Sequence, residues 1–84
     1  MDISILDSAR KHGITDESIY SCLFNVRGGK LLNVSPPKHL LAGFDHLGNA
    51  LELVTIEEEG RNLLIVIHAM KLQKQNMSLL EGDS

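Results

Sequence analysis

LLAGFDHLGNALELVTIEEEGRNLLIVIHAMK, residues 40–71, is the stretch whose reading decides the fold. Apolar runs at 39–44, 50–56 and 63–69 are separated by two polar connections, Asp45-His46-Leu47-Gly48 and residues 57–60. The first has Asp leading and Gly closing, as a type I turn prefers. Connections this short favour consecutive antiparallel strands. In the third run, Leu63, Ile65 and Ile67 alternate with Leu64, Val66 and His68. Both faces of that strand are apolar, which places it centrally and covers it on both sides.

Upstream, Leu31, Leu32 and Val34 suggest a fourth, short strand, stopped by Pro36-Pro37. Two helices are predicted before it. Asp2 can cap the first, over residues 2–12, where Ile3, Leu6 and Ala9 recur at a spacing of three and Gly13 provides a stop. Thr15 can cap the second, Asp16 and Glu17 suit its positive end, and Ile19, Cys22, Leu23 and Val26 share a face before Gly28-Gly29. Downstream, Leu72, Met77, Leu79 and Leu80 make a weak stripe that suggests a last helix over residues 70–80, with residues 81–84 as a mobile tail. The expectation is one α+β domain over residues 1–80: two N-terminal helices, a four-stranded, mainly antiparallel curved sheet, and a C-terminal helix.

Composition narrows the function. Hydrophobic residues make up 43% of the 84, sufficient for one core, and charged residues 23%. Eight Lys and Arg against eleven Asp and Glu give a net charge of −3, which argues against coating nucleic acid through overall charge. A local basic site is compatible with it, because Arg10, Lys11, Lys71 and Lys74 can converge. Tyr20, Phe24 and Phe44 are the aromatics, too few for a base-stacking platform. Cys22 stands alone, so neither an intramolecular disulfide nor a thiolate cluster can form. With no signal peptide and no apolar run long enough to cross a bilayer, a cytoplasmic protein is expected.

His12, His39, His46 and His68 fall in four different elements without the short ligand spacings of zinc sites, so neither metal nor cofactor is expected. Acid–base chemistry on RNA suits the residues better. Cleaving a strand needs a base for the 2′-hydroxyl, cations for the crowded phosphate and an acid for the leaving 5′-oxygen. Histidine can serve as base or acid near neutral pH, and Lys or Arg can hold phosphate. The candidates are Lys11, His12 and His68 for catalysis, with Arg10, Lys71 and Lys74 binding RNA. Each has a plainer reading. His68 shares a face with Leu64 and Val66 and suits a core histidine, Lys11 and His12 suit a helix C-terminus, and Lys71 and Lys74 suit a solvated face. Asp7, Glu52 and the Glu57-Glu58-Glu59 run form no acid pair.

Three segments together resemble the BrnT-type toxins of the RelE-like ribonuclease superfamily: ARKHGITDESI (9–19), LLAGFDHLGNALELV (40–54) and LLIVIHAM (63–70). The resemblance implies a toxin of a type II toxin–antitoxin pair that cleaves RNA without a metal and is neutralised by an antitoxin, a small DNA-binding protein. It matches the Lys and His of the family's KHG element to Lys11 and His12. The family's Arg-Arg pair after the closing strand corresponds here to Met70-Lys71. The alternative is a noncatalytic interaction domain with the same fold, binding an antitoxin-like partner or a second copy of itself through the sheet edge at residues 30–34 and the last helix.

Overall fold

The computed structural model describes residues 1–81. Its elements are β1 (Asp2–Ile5), a 3-10 turn (Asp7–Arg10), α1 (Asp16–Leu23), β2 (Val26–Asn33), β3 (Lys38–Phe44), β4 (Ala50–Glu58), a 3-10 turn (Glu59–Arg61), β5 (Leu63–Lys71) and a C-terminal 3-10 segment (Lys74–Glu81). The sheet has five strands in the order β1-β5-β4-β3-β2. β2 to β5 form the antiparallel meander, while β1 pairs with β5 in parallel.

The α+β class holds, and the detailed architecture is corrected. Residues 2–5 are a strand, not the start of a helix, so the sheet is five-stranded and mixed and one α-helix precedes β2. The physical reason lies in β5. Its backbone has an open side beyond β4, and β1 fills it from Asp2↔Leu63 to Ile5↔Val66. Ile3 and Ile5 then pack together against the core, a spacing of two that a helix cannot match. The expected C-terminal helix is a 3-10 segment instead, pinned by the side-chain bonds described below. Of the expected tail, residues 82–84 lie outside the described residues.

Two apolar layers flank the sheet. On one face Leu51, Leu53, Val66 and Ala69 meet Ile19 and Cys22 of α1 and Ala9 of the first 3-10 turn. On the other, Leu40 and Ala42 meet Leu79, with Val54, Leu72 and Leu80 around them. Thr15 caps α1 as its sequence implies, its Oγ1 accepting from the Ser18 N–H at 3.1 Å. Burial pushes the Cys22 thiol up to about 11, helped by the negative charge of Asp45, so this cysteine is an unreactive packing residue.

An irregularity in β5 decides which face its end presents. Val54 pairs with His68, but the next residue, Thr55, pairs with Val66. Ile67 has no counterpart and forms a β-bulge. Its carbonyl accepts from the Ser8 hydroxyl at 2.7 Å, and the Val66 carbonyl accepts from the Leu6 N–H at 3.0 Å. Strict alternation would leave His68 with Leu64 and Val66; the extra residue moves it to the opposite face, with Glu52 and Val54.

The β3–β4 turn is fastened to α1 by Asp45. This buried carboxylate accepts from the Ser18 hydroxyl (2.9 Å), the Leu47 and Asn49 N–H groups (3.0 and 2.8 Å) and the Asn49 side chain (3.2 Å). Burial alone would raise its pKa, and the four donors outweigh it, holding the group at about 2 against an ordinary 3.8. Asp45→Ala is expected to cost about 2–3 kcal/mol in urea unfolding, since it strands buried donors around a lost charge. On acidification the unfolded chain takes up this proton first. The contribution of Asp45 is therefore complete above the ordinary value of 3.8 and lost as pH falls toward 2, and Asp45→Asn should flatten that part of the stability profile.

Candidate functional site

Glu52 lies near the start of β4, the central strand, with β3 on one side and β5 on the other, and is 2% exposed. A carboxylate there must be satisfied by the protein itself. Its Oε1 accepts from the Gln73 N–H at 2.9 Å and from Asn76 Nδ2 at 3.0 Å. Its Oε2 accepts from Gln73 Nε2 at 3.1 Å and faces His68 Nε2 at 3.3 Å. Burial opposes the charge, but the bonds from Asn76, Gln73 and His68 outweigh it and hold the carboxyl below its ordinary pKa. Glu52 is therefore anionic at neutral pH.

His68 reaches this carboxylate because the Ile67 bulge turned it to the same face. An ionised Glu52 can only accept, so Nε2 is the nitrogen that donates to it, and in the neutral ring this leaves Nδ1 as the acceptor. The side chain keeps 30% of its exposure, so the ring is held from behind and open in front. His12 stands against it, the ring centroids 5.6 Å apart and the planes at 78°. Gly13 makes that approach possible: it sits at φ 78°, closing the 3-10 turn with its N–H on the Arg10 carbonyl at 3.1 Å. Lys11 and His12 are thereby exposed at the tip of a reversed chain.

The remaining candidates are distributed around this centre. Lys74 is exposed and follows Gln73, the residue whose backbone and side chain reach Glu52. Lys71 pairs with Leu51 on the α1 face, and lines a separate cleft of about 300 Å³ with Gly13, Ile14, Thr15, Ser18 and Asn49. Arg10 is engaged by two carboxylates, both oxygens of Asp16 at 2.9 Å and Asp7 at 3.0 Å. Two histidines go elsewhere. His46 bridges Glu17 (3.0 Å) and Ser21 Oγ (3.1 Å) on α1, and His39 lies 3.8 Å from Glu57. Among the described residues, no three His, Cys, Asp or Glu side chains are grouped to hold a metal ion.

The structure thus brings His12 and His68 together and adds Glu52, Gln73 and Asn76, which reading by acid pairs passed over. The signal for Glu52 was present: a lone acid inside Ala50–Glu58 beside Leu51, Leu53 and Val54 is a charge in a central strand. No protein-family model, no curated protein and no solved structure matches this chain.

Glu52→Gln should expose the role of the carboxylate. The amide offers one acceptor oxygen where the donors need two, so a loss of about 1–3 kcal/mol is expected, with faster hydrogen exchange at the Gln73 amide. Nitrogen-15 NMR of His68 should show the parent ring mainly protonated on Nε2 and the variant ring shifted toward the other tautomer. An unchanged tautomer would mean that Glu52 does not set the ring.

Proposed function

We propose that this protein cleaves RNA by metal-independent acid–base catalysis, as the toxin component of a toxin–antitoxin pair of the kind its sequence resembles. The observation that carries the reading is the edge-to-face pair of His12 and His68 with Glu52 fixed behind one of them. Two imidazoles supply both proton transfers that strand scission needs.

In this mechanism His68 is the base and Glu52 its positioning residue. Nδ1 of His68 takes the proton of the 2′-hydroxyl while that oxygen forms a bond to phosphorus. The bond from phosphorus to the 5′-oxygen breaks, and the departing oxygen takes a proton from His12. The products are a 2′,3′-cyclic phosphate and a free 5′-hydroxyl. Lys11, beside His12, and Lys74, beside Gln73, are the cations that stabilise the charge on the phosphate. The net charge of −3 suits local rather than overall attraction for RNA. Arg10, held by Asp7 and Asp16, fixes the turn that presents Lys11 and His12. Lys71, which lines the cleft on the α1 side with Gly13, is assigned to the strand's phosphates there.

Purified protein incubated with a mixed RNA in chelator, with ribosomes present and absent, tests the reading. His68→Ala and His12→Ala, each checked for folding, are expected to lose about 10²–10⁴-fold in cleavage rate. The products should carry cyclic phosphate ends. A folded parent that cuts nothing under either condition, or that leaves 3′-hydroxyl ends, would exclude the mechanism.

A further inference from the structure

β2 is an edge strand, bonded to β3 on one side, and the described residues make no backbone hydrogen bonds to its other side. A free edge is a template for another strand, and proteins usually guard it with charged side chains, β-bulges, prolines or very short length. This one carries Arg27 and Lys30 and is irregular at Arg27 and Leu32, yet it is eight residues long and keeps an apolar end: Leu31, Leu32 and, just past it, Val34 are 52%, 45% and 74% exposed. Pro36 and Pro37 come only after the strand has ended. Phe24, at the end of α1, is exposed near the start of β2.

The charge around this edge has one sign. No Asp or Glu occurs between Glu17 and Asp45, in a protein whose overall charge is −3, whereas Arg27, Lys30 and Lys38 fall in that interval. Arg27 and Lys30 are exposed on β2 itself. Arg27 also spreads over the Phe44 ring, 5.5 Å from its centroid, which anchors the start of the strand. Self-pairing is disfavoured on this ground, because an antiparallel β2–β2 contact offers no acid to either cation. RNA would use the cations but leave the leucines and Val34 without apolar partners.

We infer that the β2 edge is a docking site for an extended, acidic segment of another protein, added as a sixth strand beside the five of the sheet. Main-chain hydrogen bonds supply the affinity, glutamates or aspartates of the incoming strand meet Lys30 and Arg27, and its alternate apolar side chains cover Leu31 and Leu32. The Glu52–His68–His12 centre lies on β4, on β5 and just after the first 3-10 turn, not on β2, so this inference does not rest on the catalytic one.

The probe is an end-blocked octapeptide of alternating Glu and Val, compared with its Lys-Val counterpart and with a Glu-Val version N-methylated at every second residue. The full chain should bind the acidic peptide at least about tenfold more tightly than the basic one, because like charges across an interface are penalised. N-methylation should abolish binding, and slowed amide exchange on binding should be confined to residues 26–34. Lys30→Glu should reverse the preference between the two peptides and leave RNA cleavage at the parent level. Equal binding of both peptides, insensitivity to N-methylation, displacement of the peptide by a short RNA, or a β2-dependent dimer in sedimentation would each overturn the inference.

Discussion

A carboxylate buried in the centre of a five-stranded sheet is the constraint on which the rest of this site depends. Left without partners, Glu52 would either be neutral or destabilise β4. It is kept charged by donors from Gln73, Asn76 and His68, and the first two belong to the segment that follows β5. One buried charge therefore fastens the C-terminal segment to the sheet and orients an imidazole. The irregular form of that segment follows from the same demand. Its position is set by two amide side chains and a backbone N–H reaching one carboxylate, with Leu79 packed on Leu40 and Ala42, rather than by a continuous apolar stripe.

The Ile67 bulge is the second determinant, because without it the charge and the imidazole would lie on opposite faces. A strand repeats every two residues, so one inserted residue exchanges the faces of everything beyond it. His68 leaves the layer of Val66, which stays in the α1 core, and joins that of Glu52. The bulge is stabilised from the first 3-10 turn through Ser8 and Leu6, the same turn that ends in Lys11 and His12. The element that corrects the direction of one histidine thus delivers the other.

These two features explain where sequence reading stopped. The meander of β3, β4 and β5, the Asp45–Gly48 turn and the Thr15 cap are local, and their residues declare them directly. β1 is not local: Ile3, Leu6 and Ala9 give a helical spacing, and only the open side of β5, far along the chain, makes Ile3 and Ile5 a strand. The bulge is equally hidden, since LLIVIHAM alternates without a glycine or other mark at Ile67. Choosing His12 and His68 from the chemistry of histidine identified two side chains that do meet; assigning His68 to the Leu64 and Val66 face missed the carboxylate that it faces. Glu52 was legible as an anomaly in an apolar strand, but its partners were not, because Gln73 and Asn76 carry no pattern of their own.

The distribution of charge makes sense of an acidic protein with two cation-bearing surfaces. Arg10 is neutralised by Asp7 and Asp16, and Arg61 meets Glu58. Glu17 and Glu57 meet His46 and His39. These acids are spent on local fastening at turns and helix ends. Lys11 next to His12, Lys74 next to Gln73, and Lys30 on the edge of β2 are each exposed and outside those ion pairs. Net charge is a sum over the whole surface, whereas attraction at a site falls off within a Debye length of about 8–10 Å. A chain at −3 can therefore present cations locally where its acids are already engaged: Asp7 and Asp16 by Arg10, Glu52 by its ring of donors, and no acid at all between Glu17 and Asp45.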